Sequence, residues 1–88
     1  MHAIIVSVTI NDAEKATDNL RSNIVPQVSS APGFVAGYWT RLGADQGRGM
    51  VVFESEDAAK AVAERVQEMP GEEVSLDSVD VAEVVASA

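Results

Sequence analysis

The stretch Pro32-Gly33-Phe34-Val35-Ala36-Gly37-Tyr38-Trp39-Thr40-Arg41-Leu42, continued by Gly43-Ala44-Asp45-Gln46-Gly47 and Arg48-Gly49-Met50-Val51-Val52-Phe53-Glu54-Ser55, decides the fold. Proline-glycine is turn chemistry, so Phe34 to Leu42 reads as a strand opening from a turn. Gly43 to Gly47 has the length and polarity of a hairpin loop, Arg48 to Glu54 is the return strand, and Ser55 caps a helix. If Leu42 faces Arg48, Trp39 lies opposite Val51 and Tyr38 opposite Val52. One hairpin face then carries Phe34, Ala36, Tyr38, Met50 and Val52, and the other Val35, Trp39, Val51 and Phe53. A solvated sheet face alternates to polar residues. Here both faces are apolar, so both need cover.

Working outward, Ala3 to Ile10 alternates cleanly, with Ile4, Val6, Val8 and Ile10 on one side, and reads as the first strand. Asn11 offers a helix cap with Glu14 as its capping-box partner. Ala13, Thr17, Leu20, Ile24 and Val28 follow at helical spacing, so one stripe of the first helix faces a core. Pro26 removes a backbone donor and crowds the carbonyl of Ser22, which predicts a kink or an early end. After Ser55 the second helix presents Ala59, Val62, Ala63 and Val66, and Pro70-Gly71 stops it. Val79 to Val85 is the last strand, with a short extended piece before it at Val74 to Leu76.

The order β-α-β-β-α-β places the chain in the α+β class, with a ferredoxin-like four-stranded antiparallel sheet and residues 1–88 as one domain. Right-handed crossovers put both helices on one face of that sheet. A chain of 88 residues buries only about 60 to 65% of the surface its unfolded form exposes. The uncovered face therefore predicts a homodimer joined sheet to sheet, because an isologous contact needs no additional protein.

Composition removes several functions. Six basic against fourteen acidic residues leave a net charge of −8, which repels a nucleic-acid backbone. The chain has no cysteine, hence no disulfide, thiolate metal site or cysteine nucleophile, in keeping with a cytoplasmic protein. The apolar run after Met1-His2 is far shorter than a membrane span of about 20 residues and has no basic flank, so neither export nor a membrane partner is expected.

Pro32-Gly33-Phe34 after the first helix, and Val51-Val52-Phe53-Glu54-Ser55-Glu56-Asp57-Ala58 at the start of the second, resemble the dimeric α+β barrel superfamily, in particular antibiotic-biosynthesis-monooxygenase-like domains. The resemblance spans nearly the whole chain. It implies a homodimer with a pocket between sheet and helices in each subunit. Some members oxidise aromatic polyketides without metal or organic cofactor, and some degrade haem. The family often carries a tryptophan where this chain has Phe53, and haem-degrading members place a histidine on the second helix where this chain has Val62. They also carry an asparagine inside strand one, where this chain has none, and the single histidine, His2, stands at the N-terminus.

The resemblance thus implies binding of a small hydrophobic or aromatic molecule, with a cofactor-independent monooxygenase of phenolic or polyketide-like substrates as the alternative. Neither cofactor nor metal is expected. Trp39, Phe53, Val51 and Val62 are the candidate ligand-binding residues. Trp39 and Arg41 share a strand face, an aromatic wall with a cation beside it suited to an anionic or phenolic ligand; the alternative is that Trp39 fills the core and the Arg41 guanidinium lies in water at the strand end. Tyr38 points the other way, as an interface residue or as a proton donor. Tyr38 and Arg41 are accordingly the catalytic candidates.

The carboxylates Glu54, Glu56 and Asp57 are explained by the helix dipole. Glu72-Glu73 and Asp77 to Asp80 have no histidine beside them for a transition metal. Gly47-Arg48-Gly49 is hairpin geometry and not a phosphate loop, since no helix starts after it. Ser29, Ser30 and Ser55 have no histidine base to activate them.

Overall fold

The computed structural model describes residues 1–68 and 71–88. Four strands, β1 (His2–Ile10), β2 (Phe34–Leu42), β3 (Gln46–Phe53) and β4 (Val74–Glu83), form one antiparallel sheet in the order β2-β3-β1-β4. Between β1 and β2 the chain runs through α1 (Ala13–Asn19), a π-helical turn (Leu20–Ile24) and α2 (Val25–Ser29); α3 (Glu56–Val66) joins β3 to β4. This is the ferredoxin-like arrangement expected from the order of elements.

The two motifs that flank the hairpin dock on one another. Gly33 sits at φ +84°, a conformation glycine adopts without steric cost, and its carbonyl accepts the amide of Glu54 at 2.8 Å. The Ser55 hydroxyl then accepts the Ala58 amide at 3.2 Å and caps α3. A Cβ at Gly33 would stand 3.0 Å from that of Ala58. The turn and the capped helix start are thus a single structural unit. Beyond it, Ala59, Val62, Ala63 and Val66 all bury against Ile4 and Phe53, as their spacing predicts. The helix stop assigned to Pro70-Gly71 has its proline outside the described residues; α3 ends at Val66 with Gln67 as its C-cap.

Several local expectations are corrected. The α1 cap is Asp12, whose carboxylate accepts the Lys15 amide at 3.1 Å. Asn11 is held elsewhere: its backbone and that of Asp12 both donate to the Glu73 carbonyl, and its side-chain amide donates to Glu72 O and Ser75 Oγ. Pro26 does not end the helix. The Val25 amide reaches back five residues to Leu20 O, and the widened turn sets the proline in the first turn of α2, where no donor is needed.

The hairpin turn is Gly43-Ala44-Asp45, with Gly43 at φ +69°, so Leu42 pairs with Gln46, Trp39 with Gly49 and Tyr38 with Met50. The expected register is therefore off by two, which preserves the parity of the faces. A bulge between Phe34 and Ala36 exchanges the roles of Phe34 and Val35. Phe34 lies opposite Phe53 on the helix side, edge to face at 6.1 Å, and Val35 is exposed. The final strand is continuous from Val74, irregular opposite Ser7 and Val8, and ends at Glu83.

The sheet face away from the helices is apolar in two rows and polar in a third. Ala36, Val52, Ala3 and Ala82 align across the four strands, and beside them Tyr38, Met50 and Ile5 form a row that ends on Asp80. The next row, Thr40, Arg48, Ser7 and Ser78, is polar. Tyr38 is 66% exposed, Met50 46% and Ile5 39%, so their row stands open in the single chain, whereas Ala3 in the row beside it is buried. Among the described residues no helix is long and apolar enough to cross a membrane.

Candidate functional site

The two helical layers pack unequally. α3 buries four side chains, whereas α1 and the π-helical turn bury none completely; only Val28 of α2 does so. The stripe read as core-facing reaches the core with Val28 and, through Ile24, its edge, while its earlier residues roof a cleft of about 530 Å³ between the first helical segments and the sheet. Ala16, Leu20 and Ile24 form its roof, and Val6, Val8 and Val51 with Trp39 its floor.

Small residues on the sheet create this space. Glycines stand directly across the strand pair from Trp39, at Gly49, and two positions before it, at Gly37. A Cβ on Gly37 would lie 2.7 Å from Trp39 Cη2 and 2.9 Å from Cζ3; one on Gly49 would lie 3.0 Å from Cδ1. The indole therefore lies down across two bare backbones and does not stand up into the gap. A flat aromatic surface with an apolar roof can stack a planar ligand.

The polar groups lie at the margins. Arg41 follows Trp39 on the same side of β2, and Arg21 comes from the π-helical turn; both line the cleft. Glu73 borders it just before β4, its Oε1 accepting the Gly71 amide and the Asn19 side-chain amide, each at 2.9 Å. The Gly71 amide and then its own amide hold its carboxyl below the usual range against the opposing effect of burial, with lesser help from the Asn19 side chain and the charge of Lys15.

Of the residues singled out from sequence, Trp39, Val51 and Arg41 come together in the cleft. Phe53 and Val62 do not line it; they are buried in the core that α3 makes with the sheet. Tyr38 projects from the opposite face, so it cannot meet Trp39 or Arg41 within one chain. Val6, Val8, Leu20, Ile24, Arg21 and Glu73 were not singled out as site residues, although the first four belong to the apolar stripes.

Haem does not fit this donor set. Val62, where the resemblance implies a histidine in haem-degrading members, is buried in the core, and His2 engages Glu56 at 3.3 Å away from the cleft. The cleft lining among the described residues contains no imidazole, and the chain has no cysteine to ligate iron.

No protein-family model matches the chain, and no curated protein matches it. Solved structures do. A monooxygenase from the gene ActVA-Orf6 of Streptomyces coelicolor, in complex with nanaomycin D, superimposes with a TM-score of 0.65 at 12% identity, covering 99% of this chain and 89% of that one. A mutant of MhuD with two manganese protoporphyrin IX molecules per active site gives a TM-score of 0.64 at 16% identity over 100% and 98%. A dimeric ferredoxin-like protein from an uncultured marine organism gives 0.64 at 10% identity over 100% and 98%. The resemblance to antibiotic-biosynthesis-monooxygenase-like domains is thus borne out in the fold. At these identities it extends no further.

Proposed function

We propose that the protein is a homodimer joined through the open sheet face, each subunit of which binds a small hydrophobic or aromatic molecule in the cleft beneath its first helix. The cleft carries this reading. Its volume of about 530 Å³ is that of a small-molecule site, and it has an indole floor. The chain contains a single tryptophan and that tryptophan is the floor, so its fluorescence reports occupancy directly. Titration with a panel of anthrones, quinols and naphthalenes is expected to quench Trp39 and raise the melting temperature together. A panel that does neither removes the binding reading.

For the dimer, the support is the row Tyr38, Met50 and Ile5 lying open beside a second apolar row, and the dimeric ferredoxin-like protein of the same fold. Sedimentation at micromolar concentration is expected to give a dimer, and Met50→Asp a folded monomer, since the carboxylate would be buried without a partner. A wild-type chain that sediments as a monomer refutes this arrangement. The negative charge argues against a nucleic-acid partner, and the lack of cysteine is compatible with a reducing, cytoplasmic setting.

The second reading, a cofactor-independent monooxygenase of phenolic or polyketide-like substrates, is favoured by one observation: Arg41 faces the cleft beside Trp39, in a fold shared with the nanaomycin-bound monooxygenase. Oxygen uptake with the same anthrones, abolished in Arg41→Ala, would support it. Tyr38 would enter such chemistry only through a partner subunit.

A further inference from the structure

The charge at the cleft is opposite to that of the protein. Of six basic residues set against fourteen acidic ones, Arg21, Arg41 and Arg48 all line the same apolar cavity; Arg48 belongs to the polar row of the opposite sheet face and its guanidinium donates to Gly47 O and Gln46 Oε1, which leaves Arg21 and Arg41. The ion pairs among the described residues, His2 with Glu56 and Lys60 with Glu56, involve neither arginine. In a chain with so many carboxylates, two guanidiniums left without one at the same apolar opening are available to a ligand.

The placement of Arg41 is directional. Arg41 belongs to β2, one edge of the sheet, and pairs across to Gly47, so no side chain of β3 stands opposite it. Glu73, the one acidic group of the lining, lies beside β4 at the other edge. Three strand spacings, about 14 Å, separate the two edges. The Oε1 of Glu73 is already engaged by the Gly71 and Asn19 amides.

Resting on the proposal that the cleft binds a small molecule, we infer that its ligand is an amphipathic organic anion. An aromatic body lies on Trp39 and an ionised oxygen-bearing head, such as a carboxylate, sulfonate or phenolate, is held by Arg41 from the β2 edge and by Arg21 from the π-helical turn. Guanidinium is suited to such heads because its planar fork offers paired donors.

Two probes with a common ring system separate this from general hydrophobic binding: anilinonaphthalene sulfonate, which is ionised, and its uncharged parent phenylnaphthylamine. Binding is read by quenching of Trp39 and by probe emission excited through it. The sulfonate is expected to bind wild-type protein about tenfold or more tightly than the parent, with an advantage that shrinks as salt is raised. The double variant Arg21→Gln and Arg41→Gln is expected to bring the ratio of the two affinities to about one. Both side chains are exposed, and a thermal melt confirms that the variant folds. Equal affinity for the two probes in wild type, or a preference that survives the double variant, overturns the assignment of an anion while leaving the cleft a binding site. If neither probe quenches Trp39, the binding reading itself falls and this one with it.

Discussion

Gly37→Ala separates a cleft floor from a packed core. The new methyl carbon would lie 2.7 Å from Trp39 Cη2 and 2.9 Å from Cζ3, where carbon contacts are normally about 3.5 to 4.0 Å, so the ring must rise by roughly 1 Å. The backbone raises no objection, because Gly37 is not among the glycines with positive φ, and alanine lowers the entropy of the unfolded chain by an amount worth about 0.4 to 1 kcal/mol. If the indole borders open space it tilts into the cleft, the cost falls at the bottom of the overpacking range of about 1 to 3 kcal/mol, and the net loss of stability is about 1 kcal/mol or less. Ligand binding suffers instead. A stacked aromatic pair contributes about 0.5 to 1.5 kcal/mol, so forfeiting it weakens binding by about 2- to 13-fold. Urea unfolding followed by circular dichroism gives the first quantity, and quenching of Trp39 the second. A loss of about 3 kcal/mol with ligand affinity unchanged would show that the indole is jammed in a filled interior, and the reasoning would fail.

The core and the loop before β4 give two further expectations. Val62→Ala removes two methyl groups from a buried site outside the cleft, at about 0.8 kcal/mol each plus a cavity contribution, so stability is expected to fall by roughly 2 to 3 kcal/mol with probe affinity retained within about twofold. A tenfold loss of affinity would instead make Val62 a ligand contact. Glu73, whose folded pKa is lowered chiefly by the Gly71 amide, contributes stability that is present above the ordinary carboxylate value of 4.5 and is lost as pH falls through the lower folded value. Glu56 is also lowered, chiefly by Lys60, so the comparison is between wild type and Glu73→Gln. The variant's urea midpoint is expected to fall less between pH 6 and about pH 3 than that of wild type, and parallel curves would remove Glu73 from the acid response.

Element order was legible because the signals were local: alternation in β1, the Ser55 cap and the stripe of α3 each specify one element without reference to the others. The hairpin register was not, since Gly43 closes the turn two residues sooner than the polar run suggests. Because the error was an even number, Trp39 and Val51 kept their face. The bulge at Val35 adds one residue, and period-two reading then puts Phe34 on the wrong side. The site was half legible for a similar reason. Periodicity tells that Leu20, Ile24, Val62 and Phe53 avoid water, but not that the first two border a gap and the last two are gripped. That difference arises from Gly37 and Gly49, which let a large ring lie flat beneath α1 while Phe53 meets α3 closely.

The π-helical turn at Leu20–Ile24 has a consequence for how this frame could change its cargo. One surplus residue in a helix turns everything beyond it by about 100°. Removing a single residue from that turn would rotate Ala13, Ala16 and Thr17 out of phase with Ile24 and Val28, and would bring the proline back against the carbonyl four places earlier. The roof of the cavity is thus set by a change of phase as much as by the identity of its side chains, and a one-codon deletion would remodel it more deeply than any exchange of one apolar residue for another.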